Sequence, residues 1–79
     1  MAGALEILQS LVSSDETPGD FRRVIRDSVV ALRDPGRNAG ERAADAISIL
    51  GELAEDPRIP SHARVRLWKA LSKLEPIRE

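Results

Sequence analysis

The sequence predicts an all-α fold of four short helices, arranged as two tandem antiparallel helical hairpins. Three observations predict it. Apolar residues recur at three- and four-residue spacings in four separate stretches. Proline-bearing or polar breaks divide those stretches. The segment from Ala4 to Leu32 also lies over Ala46 to Leu74 at a spacing of 42 residues. In that register Ala4, Ile7, Leu8, Leu11, Pro18, Arg22 and Leu32 meet Ala46, Ile49, Leu50, Leu53, Pro60, Arg64 and Leu74. Leu5/Ile47, Ile25/Leu67 and Val29/Leu71 are conservative matches. Repeats of this length are supersecondary units that bury their apolar faces against one another.

The first helix covers residues 3 to 13, where Ala4, Leu5, Leu8, Leu11 and Val12 share one face. It gives way to Ser13-Ser14-Asp15-Glu16-Thr17, whose side chains compete with helical backbone bonding. Thr17 is placed to cap the next helix, and Pro18 suits its first turn. The second helix carries Phe21, Val24, Ile25, Val29 and Leu32 on its apolar side and ends near Asp34. Asp34-Pro35-Gly36-Arg37-Asn38 has turn chemistry and divides the two halves.

Asn38 is placed to cap a third helix running to about Glu55, with Ala43, Ala46, Ile47, Leu50, Leu53 and Ala54 inside. Gly51 interrupts it at a cost of ~1 kcal/mol relative to alanine. A close approach of a neighbouring helix there would offset that cost. Asp56-Pro57-Arg58-Ile59-Pro60 forms the next break, and Pro60 starts a fourth helix as Pro18 starts the second. Ala63, Leu67, Ala70, Leu71 and Leu74 face inward, and Pro76 marks the end.

The expected organisation is a single domain over residues 1–79, with one hairpin at about 3–34 and the other at about 39–75. Short helix connections favour antiparallel neighbours. A pair of HEAT-type repeats and a compact up-down four-helix bundle both satisfy the pattern. None of the four helices is long enough to be stable alone, so folding rests on burying the four stripes together.

A chain of 79 residues builds a marginal core, which makes self-association an expectation from size alone. Lys and Arg number 12 against 13 Asp and Glu, so a general attraction to nucleic acid or anionic lipid is not expected. Any electrostatic partner must be recognised locally. With no cysteine, disulfides and thiolate chemistry are excluded. No apolar segment approaches the ~20 residues needed to span a bilayer, and no signal-type stretch opens the chain. A soluble cytoplasmic protein is the expectation.

The segment from Arg42 to Glu75 carries Ala46-Ile47-Ser48-Ile49-Leu50, Asp56-Pro57, Ile59-Pro60, His62-Ala63-Arg64, Trp68 and Leu74-Glu75 in one uninterrupted register. In these features it resembles the archaeal uncharacterised protein family 0147. Pro18 followed by Arg22-Arg23 is similar to the family pattern as well. The resemblance implies a compact four-helix protein of archaeal origin, from a family with no established activity.

Charge is segregated in the second half. Glu41, Asp45, Glu52 and Glu55 follow one side of the third helix, and His62, Arg66, Lys69 and Lys73 one side of the fourth. The plainer reading makes these solvated faces that screen each other across the hairpin. The functional reading makes Arg64, Arg66, Lys69 and Lys73, joined by Arg22, Arg23 and Arg26, a basic patch for phosphate backbone or an acidic protein. Trp68 sits at the edge of the apolar arc, either as a core-edge residue or as an anchor at a partner interface. His62 is the only histidine. A local hydrogen bond suits it better than catalysis or metal binding.

Enzymatic readings fare poorly. The chain has no GxxxxGK[ST] phosphate loop, GxGxxG, HExxH or EF-hand calcium loop. Four helices of this length also leave little volume for a pocket of ~300 Å³. Neither an enzyme nor a cofactor, metal or small-molecule substrate is expected. The expected role is an interaction module using Trp68 and the fourth-helix bases, with an RNA- or ribosome-associated accessory protein as the alternative.

Overall fold

A computed structural model of the chain describes residues 2–77. Its elements are α1 (Ala2–Ser13), α2 (Gly19–Leu32), α3 (Ala39–Ala54) and α4 (Ser61–Leu74), with no strand among the described residues. Each helix packs on the next, and α4 closes on α1. The diagonal pairs, α1 with α3 and α2 with α4, make no close backbone approach. A HEAT-type stack would lay α3 on α1 and α4 on α2. The chain instead forms the other arrangement consistent with its sequence, an up-down bundle of 33 × 18 × 18 Å.

The core is one cluster drawn from all four helices. Ala4, Leu8 and Leu11 come from α1, and Phe21, Ile25, Val29 and Leu32 from α2. Ala43, Ala46, Leu50, Leu53 and Ala54 come from α3. The five residues expected inward on α4, Ala63, Leu67, Ala70, Leu71 and Leu74, are all buried. Leu5, Val12, Val24 and Ile47 pack against the cluster from its rim. Burial follows the 42-residue register. Leu8/Leu50, Thr17/Ile59, Ile25/Leu67, Ser28/Ala70 and Leu32/Leu74 are each buried at both positions, and α2 and α4 are both 14 residues long.

All three connectors are the same turn. Ser14, Asp34 and Asp56 each follow a helix, and each side-chain oxygen accepts from the N–H two residues on, at 3.2, 2.9 and 2.9 Å. Their carbonyls accept from Thr17, Arg37 and Ile59, three residues on, at 3.2, 3.4 and 3.2 Å. These are Asx- and Ser-type turns, in which a short side chain satisfies a loop N–H.

The N-caps correct one expectation. Thr17 caps nothing; the cap residues of α2 and α4 are Pro18 and Pro60, with ψ of 147° and 146°. Thr17 points inward, and its hydroxyl has no hydrogen-bond partner among the described residues. Asn38 does cap α3. Its side chain accepts from the Glu41 N–H at 2.8 Å, and Glu41 accepts from the Asn38 N–H at 3.3 Å, forming a capping box. The cost of Gly51 is not offset by a close helix contact. A Cβ there would meet nothing within 4 Å, so no helix approaches closely.

Candidate partner-binding surface

Position four of a helix has a recurring use in this bundle. Arg42 and Arg64 are the fourth residues of α3 and α4, and each reaches back ten residues to the last carbonyl of the preceding helix. Arg42 donates to the Leu32 carbonyl at 3.0 Å. Arg64 donates from Nε to the Ala54 carbonyl at 3.1 Å and from its terminal nitrogen to the Asp56 carbonyl at 3.1 Å. Helix C-termini leave unpaired carbonyls and partial negative charge, and a guanidinium fork satisfies both. Arg64 is therefore half-buried and engaged with backbone. Nothing in its local sequence pattern signalled this.

The remaining bases of α4 follow the α1–α4 seam. Arg66 donates to the Ser10 hydroxyl of α1 at 3.0 Å. Lys69 borders a groove with Glu6, Ile7 and Ser10. Lys73 lies along the N-terminal turn of α1, where a Cβ on Gly3 would come within 3.0 Å of its Cδ. At the other end of the stripe, His62 Nε2 approaches Glu16 Oε1 at 3.8 Å, a contact from another segment rather than a local bond. Arg66, Lys69 and Lys73 are exposed and have no carboxylate within ion-pair distance among the described residues.

The acids of α3 do not screen this stripe. Asp45 pairs with Arg37, and Glu41 belongs to the capping box. The hydrogen bond to Asp45 raises the Arg37 pKa above its ordinary value. Glu52 and Glu55 are exposed and enter no ion pair among the described residues. The third ion pair joins Arg58 to Asp56 at 2.8 Å, with the guanidinium 5.8 Å from the centre of the Phe21 ring. Hydrogen bonds from the Arg58 side chain and backbone hold the Asp56 carboxyl down at about 2.

Arg22, Arg23 and Arg26 do not join the α4 bases directly. They lie on α2, diagonal to α4, with α1 between the two sets. Arg26 borders the groove on the α2 side of α1, with Gln9, Val12 and Val29.

Trp68 is 51% exposed, more than a core-edge residue, and Val65, one turn before it, is 54% exposed. Together they leave an apolar patch on the outer face of α4. Open surface grooves of about 290 and 370 Å³ run along the α2–α3 and α1–α4 seams. No group of three or more metal-ligating side chains occurs among the described residues, and no helix among them is long and apolar enough to cross a membrane.

The fold and this surface define a small up-down helical bundle that displays an aromatic residue on a helix whose bases enter no ion pair among the described residues. Residues 1–77 match the model of uncharacterised protein family UPF0147, and the chain belongs to that family. A UPF0147 protein of Metallosphaera sedula is 38% identical over 76 residues, covering 96% of this chain and 85% of its own. One of Methanothermobacter thermautotrophicus is 42% identical over 74 residues, covering 94% and 72%. Among solved structures, a UPF0147 protein of Thermoplasma acidophilum superposes with a TM-score of 0.89 at 32% identity, covering 94% of this chain and 87% of that one. The protein of unknown function MMP1188 gives 0.92 at 28% identity, covering 99% and 89%. The similarity thus reaches well upstream of Arg42, over the whole first hairpin.

Proposed function

We propose that this chain is a small intracellular interaction module that binds another protein through the outer face of α4. One observation carries this reading. A half-exposed tryptophan and a neighbouring valine lie on a helix whose bases Arg66, Lys69 and Lys73 enter no ion pair among the described residues. Tryptophan is enriched at interface hot spots, where its large rigid surface is desolvated on binding. Arg64 supports this surface from beneath by holding the end of α3, and is not itself a contact group. Affinity capture from native extract tests the reading. Nuclease-resistant, salt-tolerant capture that disappears in Trp68→Ala is the expected result; capture unchanged by that substitution overturns it.

A second reading rests on a different observation. Arg26 on one flank of α1, and Arg66, Lys69 and Lys73 on the other, frame a helix whose single acid is Glu6. RNA phosphates laid across α1 would meet bases on both sides. Nuclease-sensitive capture that falls steeply with salt, and is unaffected by Trp68→Ala, would support RNA or ribosome association instead.

A further inference from the structure

Two grooves on opposite sides of the bundle are one groove built twice. The 42-residue register lays α1 on α3 and α2 on α4, which in the closed ring makes the α1–α4 and α2–α3 seams equivalent. The two seams are equally extensive. Glu6, Ile7, Ser10, Arg66 and Lys69 line the first groove, and Val24, Ile49, Glu52, Leu53 and Asp56 the second. Ile7 and Ile49, Ser10 and Glu52, and Arg66 and Val24 are mates in the register. A half turn about the long axis of the bundle therefore carries one groove onto the other, facing the opposite way.

The two faces differ in charge. Where the first has Lys69 the second has Asp27, and where it has Ser10 the second has Glu52. Arg66 and Lys73 are replaced by Val24 and Ala31, and only Glu6, replaced by Ser48, runs the other way. Asp27 follows Val24 by three residues and so shares the groove side of α2. Asp27 and Glu52 are exposed and enter no ion pair among the described residues, as is true of Arg66, Lys69 and Lys73. Near the connectors both faces are offset, His62 by Glu16 and Asp20 by Arg58. Arg42, the base α3 turns toward α2, is half-buried on the Leu32 carbonyl. The α1–α4 face is thus basic along its length, and the α2–α3 face is acidic at its centre.

Opposed faces of like shape and opposite charge fit one another when one copy is shifted sideways onto the next. Mates keep their height through a half turn along the bundle. Lys69 of one copy therefore comes level with Asp27 of its neighbour, and Ser10, which holds Arg66, comes level with Glu52. Across the junction α1 lies against α2 and α4 against α3, antiparallel, as they do within each hairpin. Pairing either face with itself would set base on base or acid on acid.

We propose that copies of this chain associate head to tail, the basic α1–α4 face of each seated on the acidic α2–α3 face of the next. Such an interface is heterologous and does not close, so it builds rows rather than dimers. A net charge of -1 offers little general repulsion. Faces of 33 by 18 Å give roughly 600 Å² per copy, at the lower end of what stable interfaces bury, so the rows are reversible and salt-sensitive. Trp68 follows Arg64 by one turn on the α3 side of α4 and lies on neither junction. Row formation is therefore independent of any partner bound through Trp68.

Sedimentation equilibrium of the full chain, from ~10 μM to ~1 mM at ~20 mM salt, reads this directly. The average mass should climb past twice 8.7 kDa and return toward 8.7 kDa in ~0.5 M salt. The emission of Trp68, the only tryptophan, should not shift. The double variants Asp27→Asn/Glu52→Gln and Lys69→Gln/Lys73→Gln each disable one face and should weaken self-association by at least about tenfold. Mixed in equal amounts they should form a heterodimer that grows no further, since each supplies one intact face; its formation also shows that both are folded. A wild-type mass that stays monomeric, or that levels off at a dimer, overturns the proposal, as does a mixture of folded variants, matched to wild type by circular dichroism, that fails to pair. A monomeric wild type that binds a short RNA homopolymer through Lys69 and Lys73 overturns it too, and assigns the basic face to nucleic acid. The reading of Trp68 as a protein anchor fails separately, when capture from extract is indifferent to Trp68→Ala.

Discussion

Thr17 and Ile59 hold the same place in the first and third connectors, and both are buried. Ile59 presents only carbon to the core, whereas Thr17 presents a hydroxyl without a partner among the described residues. A buried polar group left unpaired costs roughly 1–3 kcal/mol. Thr17→Val keeps the shape and removes the hydroxyl, so it should raise stability by about 1 to 2 kcal/mol, seen as a higher urea midpoint at unchanged slope. Asp56 governs a different effect. Arg58 holds its carboxyl down at about 2, from an ordinary 3.8, so below pH 3.8 the unfolded chain takes up a proton that the native chain refuses. This contribution is full above pH 3.8 and is lost as pH falls to about 2. Asp56→Asn retains an acceptor for the Arg58 N–H but loses the charge. Its urea midpoint should lie below wild type at pH 7, with the gap closing between pH 3.8 and 2. The sequence showed Asp56 as a helix breaker. Its pairing with Arg58 depends on the turn bringing residue 58 back, which periodicity does not describe.

At the scale of the helix, Gly51 stands inside α3, where glycine costs ~1 kcal/mol relative to alanine. Since a methyl group there meets nothing within 4 Å, Gly51→Ala should stabilise the chain by about that amount in thermal or urea melts. Arg64 acts in the opposite sense. Lysine at that position cannot donate to two carbonyls in the guanidinium geometry, so Arg64→Lys should cost roughly 1–2 kcal/mol. That loss is one of stability, so a binding defect in an Arg64 variant needs a melting curve beside it. The helices and their buried faces were legible because a buried stripe repeats every three or four residues, and on α4 all five inward positions follow from that spacing alone. Where long side chains go was not legible in the same way. Arg64 folds back on a carbonyl ten residues earlier, and the α4 bases settle on the α1 side of the bundle, because connector geometry decides both. Trp68 was ambiguous for a related reason: the edge of a helical arc becomes rim or surface according to how closely the next helix packs. On the α3 side the small residue Gly51 leaves that edge open.

Across the whole molecule, the closed ring explains why the halves need each other. The seams between hairpins, α2 with α3 and α1 with α4, are at least as extensive as those within them. Removing one hairpin therefore exposes the larger share of the apolar surface of the other. Full burial of one large aliphatic side chain contributes about 1.5 to 3 kcal/mol, and each hairpin alone would leave several half-covered against helices too short to persist in water. A HEAT-type stack would behave otherwise, since each repeat keeps its own two-helix contact and adds stability by increments. The two arrangements thus predict different results for separated halves. Fragments 1–37 and 38–79 should each show weak helical circular dichroism and no cooperative melt. Mixed in equal amounts, they should recover the helical signal with a single concentration-dependent transition. Independent melting of either fragment would place the stability within hairpins, and the α1–α4 seam would then be a contact rather than a closure.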